Sequence, residues 1–156
     1  MKGNTKVLEA LQNLLAGELV ARDQYFIHSR MYDDWGLEKL RDRIDNEFDD
    51  EKRHASALIE RMLFLAGVPD LVTREPLQIG KNVPEMLQSD LNVELAVGAA
   101  LKDAIALCED ENDYVTREIL EQLLEDTEVD HAWWLETQLG LIDKVGLQNY
   151  LQSQMG

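Results

Sequence analysis

An all-α fold, with four long helices gathered into a bundle, is predicted by three features of this 156-residue chain. Apolar residues recur in steps of three and four through four long segments, as on the inward face of amphipathic helices. Only three prolines and nine glycines interrupt the chain, while Leu, Ala, Glu, Asp, Lys and Arg dominate, a composition of good helix formers. One stretch alone, from about 68 to 82, keeps no period and holds Pro69, Pro76 and Gly80. Short turns make antiparallel neighbours, whereas a long connection lets the second and third helices run parallel. The expected topology is therefore two helical hairpins joined by one crossover.

The first helix is expected over about 5–34, capped by Asn4 or Thr5, with an inward stripe of Leu11, Leu14, Glu18, Ala21, Tyr25 and His28. Trp35-Gly36 makes a short turn into a second helix over about 37–65, whose stripe includes Leu40, Ile44, Glu47, Glu51, His54, Leu58 and Met62. Gly67 and Pro69 stop it. Pro84 opens a third helix at its first turn, over about 84–111, with Leu87, Leu91, Glu94, Gly98, Leu101, Ile105 and Cys108 inward. After an acidic turn, a fourth helix covers about 114–144, with Leu120, Leu124, Glu128, His131, Leu135 and Ile142 inward. Gly146 precedes a short fifth helix over about 147–153, too short to be stable alone, so it must dock on its own bundle or on a neighbouring subunit. A single domain over 1–156 accommodates all of this.

The net charge of −16 argues against a nucleic-acid binder, which needs a basic face, and favours a protein that attracts cations. The lone Cys108 allows neither an internal disulfide nor a cysteine-based metal cluster, and reads as a small core residue in a reducing compartment. The N-terminus carries no recognisable signal peptide, and no apolar run approaches the ~20 residues that cross a membrane, so a soluble, cytoplasmic protein is expected.

Chemistry enters through Glu51-Lys52-Arg53-His54 and its echo Glu128-Val129-Asp130-His131. Each places a carboxylate and an imidazole three residues apart, on one helix face. Glu18 and Glu94 interrupt the apolar stripes of the other two helices. One Glu from each of two helices and a Glu-x-x-His from each of the other two is the ligand set of a carboxylate-bridged di-metal site. The register agrees: Glu94 follows Glu18 by 76 residues, Glu128 follows Glu51 by 77, and His131 follows His54 by 77. Two hairpins of equal length bring the six to one level mid-bundle. Four ionised glutamates in an apolar stripe would repel one another and lose hydration, at a cost of roughly several kcal/mol per ion. Two divalent cations cancel that charge. Oxygen and imidazole donors without thiolate suit iron or manganese, with zinc or cobalt also able to bind.

Several neighbours admit two readings. Glu47 is expected either to orient a ligand or to make an outward salt bridge. Tyr25 either supplies an electron or proton near the metals or is a buried tyrosine with a satisfied hydroxyl. His28 reads as a satisfied interior histidine, and Trp35, Trp133 and Trp134 read as packing or interface residues.

These six positions, with Gly17-Glu18-Leu19, Gln24-Tyr25-Phe26, Gly140-Leu141-Ile142 and Gly146-Leu147-Gln148-Asn149-Tyr150-Leu151, make essentially the whole chain resemble a bacterioferritin of the ferritin-like fold. Classical ferritins generally lack the second Glu-x-x-His. The resemblance implies iron storage and detoxification in a hollow 24-mer, a ferroxidase activity with dioxygen or peroxide as oxidant, and a di-iron centre of two irons per subunit. It implies Glu51 and Glu128 as bridging ligands, Glu18 and Glu94 as terminal ones, and His54 and His131 each capping one metal. It further implies that the C-terminal helix surrounds a symmetry-axis channel and that a ferredoxin drives iron release. Haem-binding members hold haem b between two subunits through a methionine that follows the first Glu of the first Glu-x-x-His. Lys52 stands there, so the homo-oligomer is expected to bind little or no haem, and a second, haem-binding subunit is the expected partner. Asn46 stands where some members carry a histidine of an accessory iron site, though Asp50 remains. The competing function is another di-iron or di-manganese carboxylate oxidoreductase, peroxidase or catalase-like, on the same bundle.

Overall fold

A computed structural model describes residues 2–156. The helices are α1 (Thr5–Asp34), α2 (Glu38–Phe64), α3 (Val83–Asp110), α4 (Tyr114–Glu125), α5 (Trp133–Val145) and α6 (Leu147–Gln154). A π-helical segment, Asp126–Ala132, joins α4 to α5, and the three together form the fourth long rod of the bundle. The periodicity predicts one unbroken α-helix there. A π-turn keeps the rod continuous in direction, so its stripe of apolar residues survives the interruption.

Polar side chains set the helix starts. Asn4 accepts from the amides of Lys6 and Val7, Asn82 accepts from Glu85 N ahead of Pro84, and Asp113 accepts from Thr116 N. Each satisfies a donor that the first turn leaves unpaired. The end of α2 differs from the reading of Gly67 as a helix-stopping glycine. The left-handed residue is Ala66, with φ of 61°. Gly67 is small for another reason: a Cβ there would lie 2.6 Å from Leu8 Cδ2.

The crossover runs along α1 in the same direction as α1. Gln12 exchanges hydrogen bonds with the backbone of Asp70, Asp23 pairs with Arg74 at 2.7 Å, and Gln24 Oε1 accepts from Gln78 N. His28 Nε2 accepts from Gly80 N at 3.1 Å. Because α2 ends near the start of α1, this path returns the chain to the far end of the bundle. There α3 begins, antiparallel to α1 and parallel to α2. Gly80 lies so close to the start of α3 that a Cβ would meet Met86 N at 2.4 Å.

The stripes meet in two apolar layers. One gathers Leu11, Leu15, Leu58, Met62, Leu101 and Leu120; the other gathers Tyr25, Leu40, Ile44, Leu87, Leu91 and Leu135. Cys108 is buried in the first layer. α6 docks on its own bundle: Tyr150 is 1% exposed in the second layer and its hydroxyl donates to Gln138 Oε1 at 2.8 Å. At the level between the two layers the bundle interior is charged.

Candidate metal centre

Glu18 of α1, Glu51 and His54 of α2, Glu94 of α3 and His131 of the π segment are each at most 1% exposed and meet in this middle level. Helical periodicity alone turns each of them inward; hairpin register brings them to one height. His54 Nδ1 lies 3.1 Å from Glu18 Oε2 and 3.6 Å from Glu51 Oε2. His131 Nδ1 lies 3.1 Å from Glu51 Oε1 and 3.4 Å from Glu94 Oε1. The donors therefore fall into two triads, Glu18–Glu51–His54 and Glu51–Glu94–His131, each with its donor atoms within 4.8 Å. Glu51 belongs to both. The two imidazoles stack with ring centroids 6.0 Å apart.

Each imidazole turns its other nitrogen to an aspartate. His54 Nε2 meets Asp126 Oδ2 at 2.9 Å, and His131 Nε2 meets Asp50 Oδ2 at 3.0 Å. Each hairpin thus supports the histidine of the other. Holding the remote nitrogen fixes ring orientation and leaves Nδ1 aimed at the centre, the arrangement that metal-ligating histidines use. This pairing also explains the change of register along the sequence. Asp126 follows Asp50 by 76 residues, but Glu128 follows Glu51 by 77. The second hairpin has one extra residue between its aspartate and its glutamate, inside the π segment that such an insertion produces. Thr127, in that gap, is fully buried and bonds Leu123 O through its hydroxyl.

Glu128 is the expected ligand that is not brought to the cluster. It is half-exposed, and its Oε2 lies 3.0 Å from Lys102 Nζ. It lines a cavity of about 370 Å³ that reaches Glu94 between α3 and the π segment.

The centre is poised for cations. Glu18 Oε1, Glu51 Oε2 and Glu94 Oε2 are buried with no hydrogen-bond partner, an arrangement that costs free energy unless something positive answers it. Burial, and next the charge of Glu51, push Glu18 well above the usual carboxylate range. Burial alone would lower His54, but hydrogen bonds to Glu18 and Glu51 outweigh it and push the imidazole up to about 11. His131 is also raised, burial being overcome by the carboxylates of Asp50, Glu47, Glu51 and Glu94. Protons on two imidazoles thus partly stand in for cations. The oxygen and nitrogen donors, the shared carboxylate and the orphaned oxygens fit two divalent ions.

The residues that admit two readings take definite places around the centre. Glu47 is buried and does both things: its Oε1 accepts from Arg43 Nε at 2.7 Å, while its Oε2 contacts His131 Nε2. With Asp50, Asp130 and His131 it forms a further group of close donors. Tyr25 is buried and its hydroxyl donates to Glu94. His28 is an interior histidine bonded to Asp90 at 2.9 Å and to Gly80 N. Trp134 packs under Arg43 at 4.8 Å, Trp35 meets the edge of Tyr32, and Trp133 is exposed at the cavity mouth. Asp126 escaped the sequence reading. Its signal was present in the 76-residue spacing from Asp50, but an aspartate on an acidic rod is conspicuous only once a histidine is known to face it.

The Ferritin-like domain model matches residues 8–145. The chain is 64% identical to a bacterial ferritin of Synechocystis sp. and 54% identical to one of Pseudomonas aeruginosa, each over 99% of this chain and at least 99% of the relative. It is 41% identical to a bacterioferritin of Brucella melitensis over 97% of this chain and 94% of that protein. A helical bundle split by a charged layer, with two donor triads sharing one carboxylate, and full-length similarity of this extent lead to one conclusion: the chain belongs to the ferritin-like family.

Proposed function

We propose that this protein stores and detoxifies iron by oxidising ferrous ions at a two-metal centre inside each subunit and depositing ferric mineral in an oligomeric shell. The observation that carries the reading is the pair of donor triads sharing Glu51, with a buried carboxylate oxygen left unpartnered on each of Glu18, Glu51 and Glu94. Iron is the substrate. The chain's part is to hold two ions at one level: Glu18 with His54, Glu94 with His131, Glu51 between them, and Glu128 joining from the cavity side. Bound ferrous ions supply one electron each to dioxygen or peroxide. Tyr25, donating to Glu94, keeps that carboxylate oriented. The relatives named bacterial ferritin and bacterioferritin support the same reading.

The expected outcome is that purified protein binds two divalent metals per chain, oxidises ferrous iron rapidly, and then accumulates many irons per chain in a shell whose mass is a large multiple of the subunit. His131→Ala should lose one metal and most of the rapid phase. Unchanged stoichiometry and rate in that variant would remove His131 from the centre. Turnover without mineral growth would instead favour a two-metal peroxidase or catalase-like oxidoreductase.

A further inference from the structure

The cavity beside Glu128 has a composition of its own. Its lining includes the carboxylates Glu94, Glu128 and Glu136, and Lys102 is the one cationic side chain among them. Glu94 is buried at its inner end, whereas Glu128 and Lys102 are 46% and 59% exposed at their side chains. The cavity thus leads from the surface to a donor of the centre.

On α3, Glu94, Gly98 and Lys102 fall at successive helical turns, on one face. A Cβ on Gly98 would have Glu128 Cγ as its nearest neighbour, at 3.8 Å. The stem of Glu128 therefore crosses α3 midway between Lys102 and Glu94, one turn from each. Its carboxylate can pass from the lysine side toward the Glu94 side by rotation about the Cα–Cβ and Cβ–Cγ bonds, since the Cγ–Cδ bond only exchanges the two oxygens. In the present arrangement the carboxylate is on the lysine side, 3.0 Å from Nζ.

We propose that Lys102 and Glu128 form a charge latch at the mouth of this cavity. Lys102 holds Glu128 outward while no cation is present, and a divalent ion arriving through the cavity replaces the ammonium as the partner of Glu128 and draws that carboxylate toward Glu94. Lys102 is then a positioning residue: it touches no metal and acts only through Glu128. The inference rests on the proposed two-metal centre, so the experiment must separate the two.

The probe is cobalt(II), titrated by visible absorption into the intact oligomer of the wild type, Lys102→Gln, Lys102→Arg, Glu128→Gln and the Lys102→Gln/Glu128→Gln pair. Occupying the inward position costs the wild type its Lys102–Glu128 pair. Lys102→Gln should therefore tighten the weaker of two cobalt sites by about two- to fivefold, the range a half-exposed ion pair supports. Raised salt should shrink the difference, because it screens the pair. Lys102→Arg should behave as the wild type. In the Glu128→Gln background the Lys102→Gln change should have no effect. If Lys102→Gln binds cobalt as the wild type does, or if its gain persists without Glu128, the lysine is no latch. If the wild type binds no cobalt, the two-metal centre fails first and the latch falls with it.

Discussion

Asp126 and Asp50 are partly exposed, yet each controls which way a buried imidazole faces. His54 presents Nδ1 to Glu18 and Glu51 because Nε2 is held by Asp126 at 2.9 Å. Asp126→Ala frees that ring to turn. Cobalt affinity at the site containing His54 should fall by about 10–100-fold, the usual effect of removing such a support, while the site containing His131 changes less. Equal affinities in the two proteins, measured by absorption titration, would show Asp126 to be a bystander. A pH dependence follows from the same residues. The metal-free protein holds His54 at about 11, above its ordinary 6.5. Its contribution to stability is full below pH 6.5 and is lost as pH rises through 11. Glu18, raised chiefly by burial, acts in the same sense, because its ionised form is the costly one. Metal binding runs oppositely, since these protons must leave first. Cobalt should therefore raise the melting temperature more near pH 8 than near pH 6. The same rise at both values would mean that no proton is released.

At the scale of the element, the end of α2 separates two roles that glycine usually combines. Ala66 takes the left-handed backbone, and Gly67 provides the close approach to Leu8. Gly67→Ala places a methyl where 2.6 Å is available, forcing Leu8 or the helix end to shift. The expected loss is about 1–3 kcal/mol, as for other overpacked sites, read as a lower midpoint in chemical denaturation with an unchanged slope. A neutral result would mean that the start of α1 yields readily. The crossover has a similar logic. Gln12, Gln24 and His28 on one helix bind its backbone at Asp70, Gln78 and Gly80. A segment without periodicity is thereby held in place by polar side chains of α1, and α3 starts at the correct end of the bundle.

The whole molecule is a bundle whose two apolar layers are separated by a charged one. That arrangement makes cation binding and folding interdependent, because the unfolded chain has no preformed site to offer. Assembly raises a separate question at Lys52, which is exposed on α2. The bacterioferritin resemblance implies that a haem iron shared between two subunits would take soft sulfur donors from this position, where Lys52 offers an ammonium instead. Reconstitution with haem should leave the homo-oligomer with essentially no bound chromophore in its visible spectrum, and Lys52→Met should create binding where the rest of the pocket allows it. One tightly bound haem per two wild-type chains would overturn this expectation.

Much of this was legible without coordinates. Strict steps of three and four placed Leu11, Leu58, Leu101 and Leu120 inside, and the one aperiodic stretch around Pro69 and Pro76 set the crossover. Near-equal spacing between halves, 76 residues for Glu18 and Glu94 and 77 for His54 and His131, brought these four and Glu51 to one level. These are properties of helical geometry, which the order of residues determines locally and which packing then keeps. The π segment, the outward Glu128 and the support of each histidine by the opposite hairpin were decided only in the tertiary structure. One extra residue in a helix is absorbed as a π-turn only when neighbouring helices hold both flanks in register. The direction of Glu128 is not fixed by its own helix, because Lys102, which pairs with it at 3.0 Å, comes from a different one.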